Sequence, residues 1–411
     1  MEARGREDIM KKVDVFIKER KAPKRDTAKL FGLEKAKKVM KYHRSFAEYR
    51  ETPLVKLPAL AEEIGVKSIY VKDESKRFDL NAFKVLGGSY GIANALAEKF
   101  GLNIDEITID TFKTPEMKEK LKDITFITAT DGNHGRGIAW TAKEMCCRAV
   151  IYMPCDTVQS RVNHIQKLGV EAHKTDMHFD DTARFAFEES KRNGWIMVQD
   201  TTFEGYTDFP TWCMQGYTTM SCEAYEELQR LEVKPTHIFI QAGAGSLAGS
   251  VAGLFGSVYG KDRPILTTIE ANNCGCIKAT AEAGDNKLHK VEGDLKTIMA
   301  GLSVGEACSV GWDVLDEYAD AHAVCSDSVS AEGMRVLAAP KRDDQKIVSG
   351  ESGSVGVGMV VEVMTNPEFE DIRSNLQLDE NSVVLCFNTE GDTDPENYRK
   401  IVWGGAYPNI G

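Results

Sequence analysis

"THIFIQAGAGSLAGSVAG", Thr236 to Gly253, opens as a near-continuous apolar run, breaks at Gly243 and Gly245, and resumes as a helical-length run of small residues. Such a run fits a strand covered on both faces, and a glycine turn that feeds straight into a helix is how parallel sheets are wound. At that junction the backbone N–H groups have no intrahelical acceptor and can surround an anion. The amides of Gly243, Ala244, Gly245, Ser246 and Leu247 therefore form a candidate phosphate cradle. The same glycines with Ala248 also fit the dinucleotide pattern GxGxxA, and "PILTTIEA" places Glu270 where a ribose-binding carboxylate belongs. The stretch argues for an α/β fold and leaves two ligands open.

The same pattern runs along most of the chain. "SIYVKDES", "ITFITATDG", "AVIYMPC", "WIMVQD", "AHAVCSD" and "SVVLCFNT" read as further buried strands, separated by amphipathic stretches such as "GSYGIANALAEKFG" and "FDDTARFAFEESKRNG". The 411 residues have room for two domains. A net charge of −12 argues against general nucleic-acid binding, and the basic run near the N-terminus reads as a solvated helix face. No window is apolar for long enough to cross a bilayer, and the N-terminal residues lack the apolar core of a secretory leader, so a cytoplasmic protein is expected. The 10 cysteines form no paired CxxC blocks, which argues against zinc and for ordinary thiols in a reducing compartment.

In parallel α/β folds ligands gather at the carboxyl ends of strands, and three more such loops stand out. In "VKDESKRFDLNAFKVLGG", Lys84 sits between Phe83 and Val85 ahead of Gly87 and Gly88. It is either a snorkelling lysine or an amine that forms a Schiff base with an aldehyde, with the glycines allowing close backbone approach. "TATDGNHGRGIAW" puts Thr130, Asp131, Gly132, Asn133 and His134 at a strand-to-helix turn. A tight turn with Asn133 as cap and His134 at the surface is one reading; a carboxylate, Asp131, inside an anion-binding loop favours a functional one. "VVLCFNTEGDTD" delivers Asn388 and Thr389 to another glycine turn, as turn chemistry or as neutral groups for a ring nitrogen.

An aldehyde for the lysine, a phosphate for the glycine loop, a ring nitrogen for the polar strand end and an amino-acid carboxylate for the "TDGNHG" loop belong to one ligand set: pyridoxal phosphate with an amino acid. A nicotinamide cofactor leaves Lys84 without a role. The order "TPLVKL", "VKDES", "NAFK", "DGNHG", "GAGSLAG" and a polar residue after the last strand resembles the tryptophan synthase β (fold type II) family of pyridoxal phosphate enzymes. Within it, "NAFKVLGGSYG", "TATDGNHGRGIAW", "VQDTTFEGY", "PTWCMQGY", "TIMAGLSVGE" and "NTEGDTDPENY" look like the diaminopropionate ammonia-lyases, over nearly the whole sequence.

The resemblance implies two open, twisted, mainly parallel sheets flanked by helices: a large domain from residues 1–85 and 190–411, and a smaller one, 86–189, inserted between them. It implies that Lys84 holds the cofactor, Asn133 contacts its ring hydroxyl, Gly243 to Leu247 bind its phosphate, and Asn388 or Thr389 faces its nitrogen. It also implies a homodimer. Thr130, Asp131, Gly132, His134 and Asp200 are the candidate substrate contacts, and Lys84, Asp131 and Asp200 the candidate catalytic groups.

Asp131 lies where threonine dehydratases keep a small residue beside the substrate carboxylate. Two like charges about 4 Å apart repel by roughly 4 kcal/mol at an effective dielectric of 20. A second ammonium on the substrate offsets that repulsion, and 2,3-diaminopropionate carries one on Cβ. Asp200 in "VQDTTFEGY" can supply a further carboxylate for it, or else serve as a strand-end cap. The expected reaction is elimination of ammonia from D- and L-diaminopropionate to pyruvate and a second ammonia, with Lys84 and Asp131 as bases on opposite faces. A threonine or serine dehydratase, or a β-replacing synthase such as a cysteine synthase, is the alternative on the same fold.

Overall fold

The computed structural model describes residues 11–20, 27–130, 132–155 and 157–409. Its strands are β1 (Val13–Ile17), β2 (Leu54–Lys56), β3 (Ser68–Asp73), β4 (Thr125–Ala129), β5 (Arg148–Met153), β6 (Glu171–Lys174), β7 (Ile196–Met197), β8 (His237–Gln241), β9 (Ile265–Ala271), β10 (Ala321–Cys325) and β11 (Val383–Asn388). They form a seven-stranded sheet in the order β1-β10-β9-β8-β11-β3-β2 and a four-stranded sheet in the order β6-β5-β4-β7. Only the two edge strands of the larger sheet, β1 and β2, pair antiparallel; every pairing in the smaller sheet is parallel. The fold is that of two mainly parallel sheets flanked by helices. β7 lies in the smaller sheet, past residue 189.

All eight apolar runs read as strands are strands. The three that the reading passed over, β1, β2 and β6, are edges. An edge strand has one neighbour and is kept short or polar, so it lacks the apolar signature of a central strand. β6 is "EAHK" with one buried residue, Ala172, and β2 has three residues. The basic N-terminal run is not a helix face where it is described: Val13–Ile17 is extended and pairs with β10, with Val13 buried in the core.

The core of the larger sheet contains a buried ion network at the end of β3. Lys72 Nζ lies 2.6 Å from Glu223 Oε2, and Arg77 meets Glu223 at 2.7 Å and Glu74 at 2.8 Å, all four side chains being essentially excluded from solvent. The Thr52 hydroxyl donates to Glu74 at 2.6 Å, and Lys72 also donates to the Thr52 carbonyl at 2.7 Å. Two cations and two carboxylates thus balance, with further hydrogen bonds on each, the condition under which buried charge is tolerated.

The network anchors the chain just before Lys84, where the backbone enters the left-handed region at Phe78, Asp79 and Asn81. The Phe83 N–H then donates to the Thr389 carbonyl at 3.1 Å, docking the start of the Lys84–Phe100 helix on the end of β11. That helix crosses Asp208–Arg230 backbone to backbone. A Cβ at Gly216 would sit 2.3 Å from the Leu86 carbonyl oxygen, so only glycine permits the crossing. Gly87 faces the Tyr217 ring and Gly88 faces Ile138. The close approach these two glycines allow is to neighbouring helices.

Replacing Glu223 by Ala leaves Lys72 and Arg77 buried without their shared carboxylate and is expected to destabilise the fold by about 3–5 kcal/mol, read from the urea midpoint. Burial alone would raise the Glu223 carboxyl, but the Arg77 and Lys72 charges more than offset it and hold it well below the usual range. A carboxylate depressed in the folded state stabilises above its unfolded value, about 4.3 for Glu, and that stability is lost as pH falls through and below it. Glu223→Ala should therefore be nearer to wild type in stability at strongly acid pH than at pH 7.

Candidate active site

The loops singled out in the sequence open at the carboxyl ends of β3, β4, β7, β8 and β11, and the structure brings them to one cleft between the sheets. Lys84 begins a helix, and its Nζ lies 2.5 Å from Asp200 Oδ2. The Lys84 side chain keeps 25% of its exposure and Asp200 keeps 10%. Lys84 is thus neither a snorkelling surface lysine nor a sealed one: it is a partly buried amine held against a carboxylate.

Asp200 is the hub. It follows β7; the Tyr217 hydroxyl donates to its Oδ2 at 3.2 Å, and the Ser246 hydroxyl donates to its backbone carbonyl at 3.0 Å. His134 Nδ1 lies 3.7 Å from the same carboxylate oxygen. Burial alone would raise the Asp200 carboxyl, yet His134 and Lys84 beside it, with the hydrogen bonds from Lys84 and Tyr217, hold it well below the usual range. Burial, and then Asp200, push the Tyr217 phenol well up, which keeps it a donor. Asp200 is therefore a buried carboxylate paired with Lys84 rather than a strand-end cap.

On the "TATDGNHG" loop, the Thr130 hydroxyl oxygen accepts the N–H groups of Gly132 at 3.0 Å and Gly135 at 3.1 Å, and so holds the turn. Gly132 is the N-cap of the Asn133–Glu144 helix, and Asn133 is its first residue. His134 is buried, not at the surface; its Nε2 donates to the Val198 carbonyl at 2.7 Å, which turns Nδ1 toward Asp200. Asp131 lies outside the described residues.

The glycine loop behaves as its composition suggests. Gly245 has φ +93° and caps the Ser246–Tyr259 helix. Among the described residues the amides of Gly243 to Leu247 make no backbone hydrogen bond. They are the row of unpaired donors that an anion at a helix N-terminus satisfies. Glu270, which suggested a dinucleotide, has another use. Both its oxygens accept backbone N–H groups, of Ile277 and Lys278 at 2.8 Å each, at the start of the Cys276–Ala283 helix. It is fully buried there and closed to a ribose.

The end of β11 separates its two polar residues. Asn388 is buried; its amide donates to Asp73 at 2.7 Å and the Val348 carbonyl at 3.2 Å and accepts from the Ser349 hydroxyl at 2.7 Å, which commits it to structure. The Thr389 hydroxyl oxygen accepts from Gln241 Nε2 at 2.7 Å, and among the described residues no acceptor takes its proton. Three groups here escaped the sequence reading. Tyr217 sits mid-helix, away from any strand end. Gln241, a polar residue closing an apolar strand, was a signal that went unread. Glu390 accepts from Asn133 Nδ2 at 2.6 Å.

A family model of pyridoxal-phosphate dependent enzymes matches residues 46–386. The diaminopropionate ammonia-lyase of Escherichia coli (strain K12) is 46% identical over 382 residues, 93% of this chain and 94% of that protein. The chain belongs to the diaminopropionate ammonia-lyase family of pyridoxal-phosphate-dependent enzymes. Its counterpart in Salmonella typhimurium (strain LT2) is 43% identical over 369 residues, covering 89% of this chain and 91% of that one. The Escherichia coli enzyme, solved in complex with an aminoacrylate-PLP azomethine reaction intermediate, superposes with a TM-score of 0.88 at 43% identity, over 96% of this chain and 98% of that one. Threonine deaminase isoform 2 from Solanum lycopersicum shares the fold, with a TM-score of 0.71 at 18% identity.

Pyridoxal phosphate fits the residues present. The unpaired amides of Gly243 to Leu247 suit a phosphate, Lys84 an aldehyde, and the uncommitted Thr389 proton a ring nitrogen that is itself unprotonated. Lys84→Ala should remove the covalent attachment. After reconstitution and gel filtration the wild type is expected to keep a visible absorbance band that the variant lacks.

Proposed function

We propose that the protein eliminates ammonia from 2,3-diaminopropionate, taking both enantiomers and giving, with one water, pyruvate and two ammonia. The observation that supports this most directly is the buried Asp200 carboxylate 2.5 Å from Lys84. Once Lys84 is committed to the cofactor, that fixed negative charge faces the substrate and favours one that brings a cation of its own. Diaminopropionate does so on Cβ; threonine and serine do not. The relatives agree, since the Escherichia coli enzyme bears the diaminopropionate name and has been solved with an aminoacrylate intermediate and with D-serine.

Bound pyridoxal phosphate supplies an electron sink for the charge left at Cα when its proton is removed. This chain's residues supply the rest. The amides of Gly243 to Leu247 and the Thr389 hydroxyl orient the bound group, with Asn133 at its ring oxygen. Lys84 takes the Cα proton on its own face, and Asp131, from its place in the loop sequence, serves the opposite face. Asp200, held by Tyr217 and Ser246, keeps the Cβ ammonium in line to leave. The released aminoacrylate hydrolyses in water to pyruvate and the second ammonia.

The protein works on a small amino acid. We read it as a cytoplasmic homodimer: its ten cysteines are all free, and the pairing of two chains is what the family resemblance implies. The dehydratase alternative has less behind it: threonine dehydratase of Escherichia coli is 25% identical over 309 residues.

The first test is pyruvate formation with D- and L-diaminopropionate beside L-threonine and D- and L-serine; both diaminopropionates are expected to be turned over best, and faster threonine turnover would overturn the assignment. Asp200→Asn should lower kcat/KM for diaminopropionate about 10²-fold more than for D-serine, as expected for removing one partner of a buried charge pair. Asp131→Asn should affect the two enantiomers unequally; equal losses would end the two-base division.

A further inference from the structure

Glu390 follows Thr389 directly and is buried. Its backbone is held on both sides: the Gly350 N–H donates to its carbonyl at 3.0 Å, and it bridges to Ala82 just ahead of Lys84. Its Oε1 accepts the Ser352 N–H at 3.1 Å, in the first turn of the Glu351–Thr365 helix. Its Oε2 accepts from Asn133 Nδ2 at 2.6 Å and from the Thr393 hydroxyl at 3.3 Å. Every one of these partners is a donor, as a carboxylate requires.

The contact with Asn133 joins the two sheets, since Asn133 follows β4 of the smaller and Glu390 follows β11 of the larger. It also decides a question of orientation. A side-chain amide has a donor end and an acceptor end of nearly equal shape, and its hydrogen-bond partners alone choose between them. A carboxylate does not donate, so the end turned toward Glu390 is the nitrogen. That nitrogen carries two protons, and Glu390 takes one. A charge-assisted bond of this kind is roughly twice as strong as a neutral one, so the choice is firmly held. Arg136, one turn further along the same helix, also lies within the field of Glu390.

We infer that Glu390 is a positioning residue: by accepting one N–H of the Asn133 amide it leaves the second N–H as the donor presented to the ring oxygen of the cofactor. This rests on the cofactor and Asn133 assignments above, but not on the identity of the substrate. Glu390→Gln breaks the arrangement without removing the side chain. The Ser352 N–H still needs an acceptor, so the Gln oxygen turns to it and the Gln NH2 faces Asn133. The Asn133 amide then reverses and loses the nitrogen as its fixed donor.

The test uses cofactor-loaded wild type, Glu390→Gln, Asn133→Ala and the double variant, reading the pH midpoint of the visible absorbance and the melting temperature of each. Glu390→Gln is expected to move the midpoint by about one pH unit with the melting temperature little changed, and to have no such effect once Asn133 is Ala, a non-additive cycle. An unmoved midpoint overturns the inference. An equal shift with and without Asn133 overturns it too, because Glu390 would then act through its charge alone. Should Glu390→Gln fail to fold, Glu390→Asp keeps the charge at the helix and withdraws the carboxylate from Asn133 by one methylene; the same cycle then applies. A wild type that binds the cofactor but does not turn over diaminopropionate would overturn the substrate reading and leave this one standing.

Discussion

The arrangement of this molecule depends on the four charges buried at the end of β3. Three of the seven residues from Arg77 to Phe83 have left-handed backbone, and none of the three is glycine. Such residues cost on the order of 1–3 kcal/mol each and persist only where the surroundings over-determine them. Arg77 supplies that determination by reaching both Glu74 and Glu223. Glu223 sits on the Asp208–Arg230 helix, which also carries Tyr217 against Asp200. One helix thus clamps the strained loop that delivers Lys84 and aims the carboxylate that faces it.

That coupling explains why the site is electrostatic in character. Lys84 and Asp200 come from different sheets and meet only because both strands end at the same cleft. Each satisfies the other's charge. On the function proposed above, committing the lysine to the cofactor removes one cation from beside Asp200, and an ammonium on the substrate takes its place.

The glycine loop and Thr389 share one feature: donors left unspent among the described residues. Among the described residues the amides at the start of the Ser246–Tyr259 helix have no hydrogen-bond partner, and Thr389 receives from Gln241 with no acceptor for its own proton. Asn388 beside it shows the opposite case, with its amide used up by Asp73, Ser349 and Val348. Adjacent polar residues on one strand end differ in role because alternate side chains point to opposite faces of the sheet.

Much of the fold was legible in the chain. Buried parallel strands are continuous apolar runs, and glycine turns into helices are local in sequence, so eight strands, the glycine turn ahead of the Ser246–Tyr259 helix and the place of Lys84 at the start of a helix could be read directly. The edges β1 and β6 could not, because a strand with one neighbour has no obligation to be apolar. Tertiary structure alone decided which polar groups are free to act. It assigned Glu270 to a helix cap, took Asn388 out of the site, buried His134 with Nδ1 toward Asp200, and brought Glu390 to Asn133, 257 residues away in sequence. A residue's type and its turn are local properties, whereas the fate of each hydrogen-bonding group depends on partners that only the folded chain brings within 3 Å.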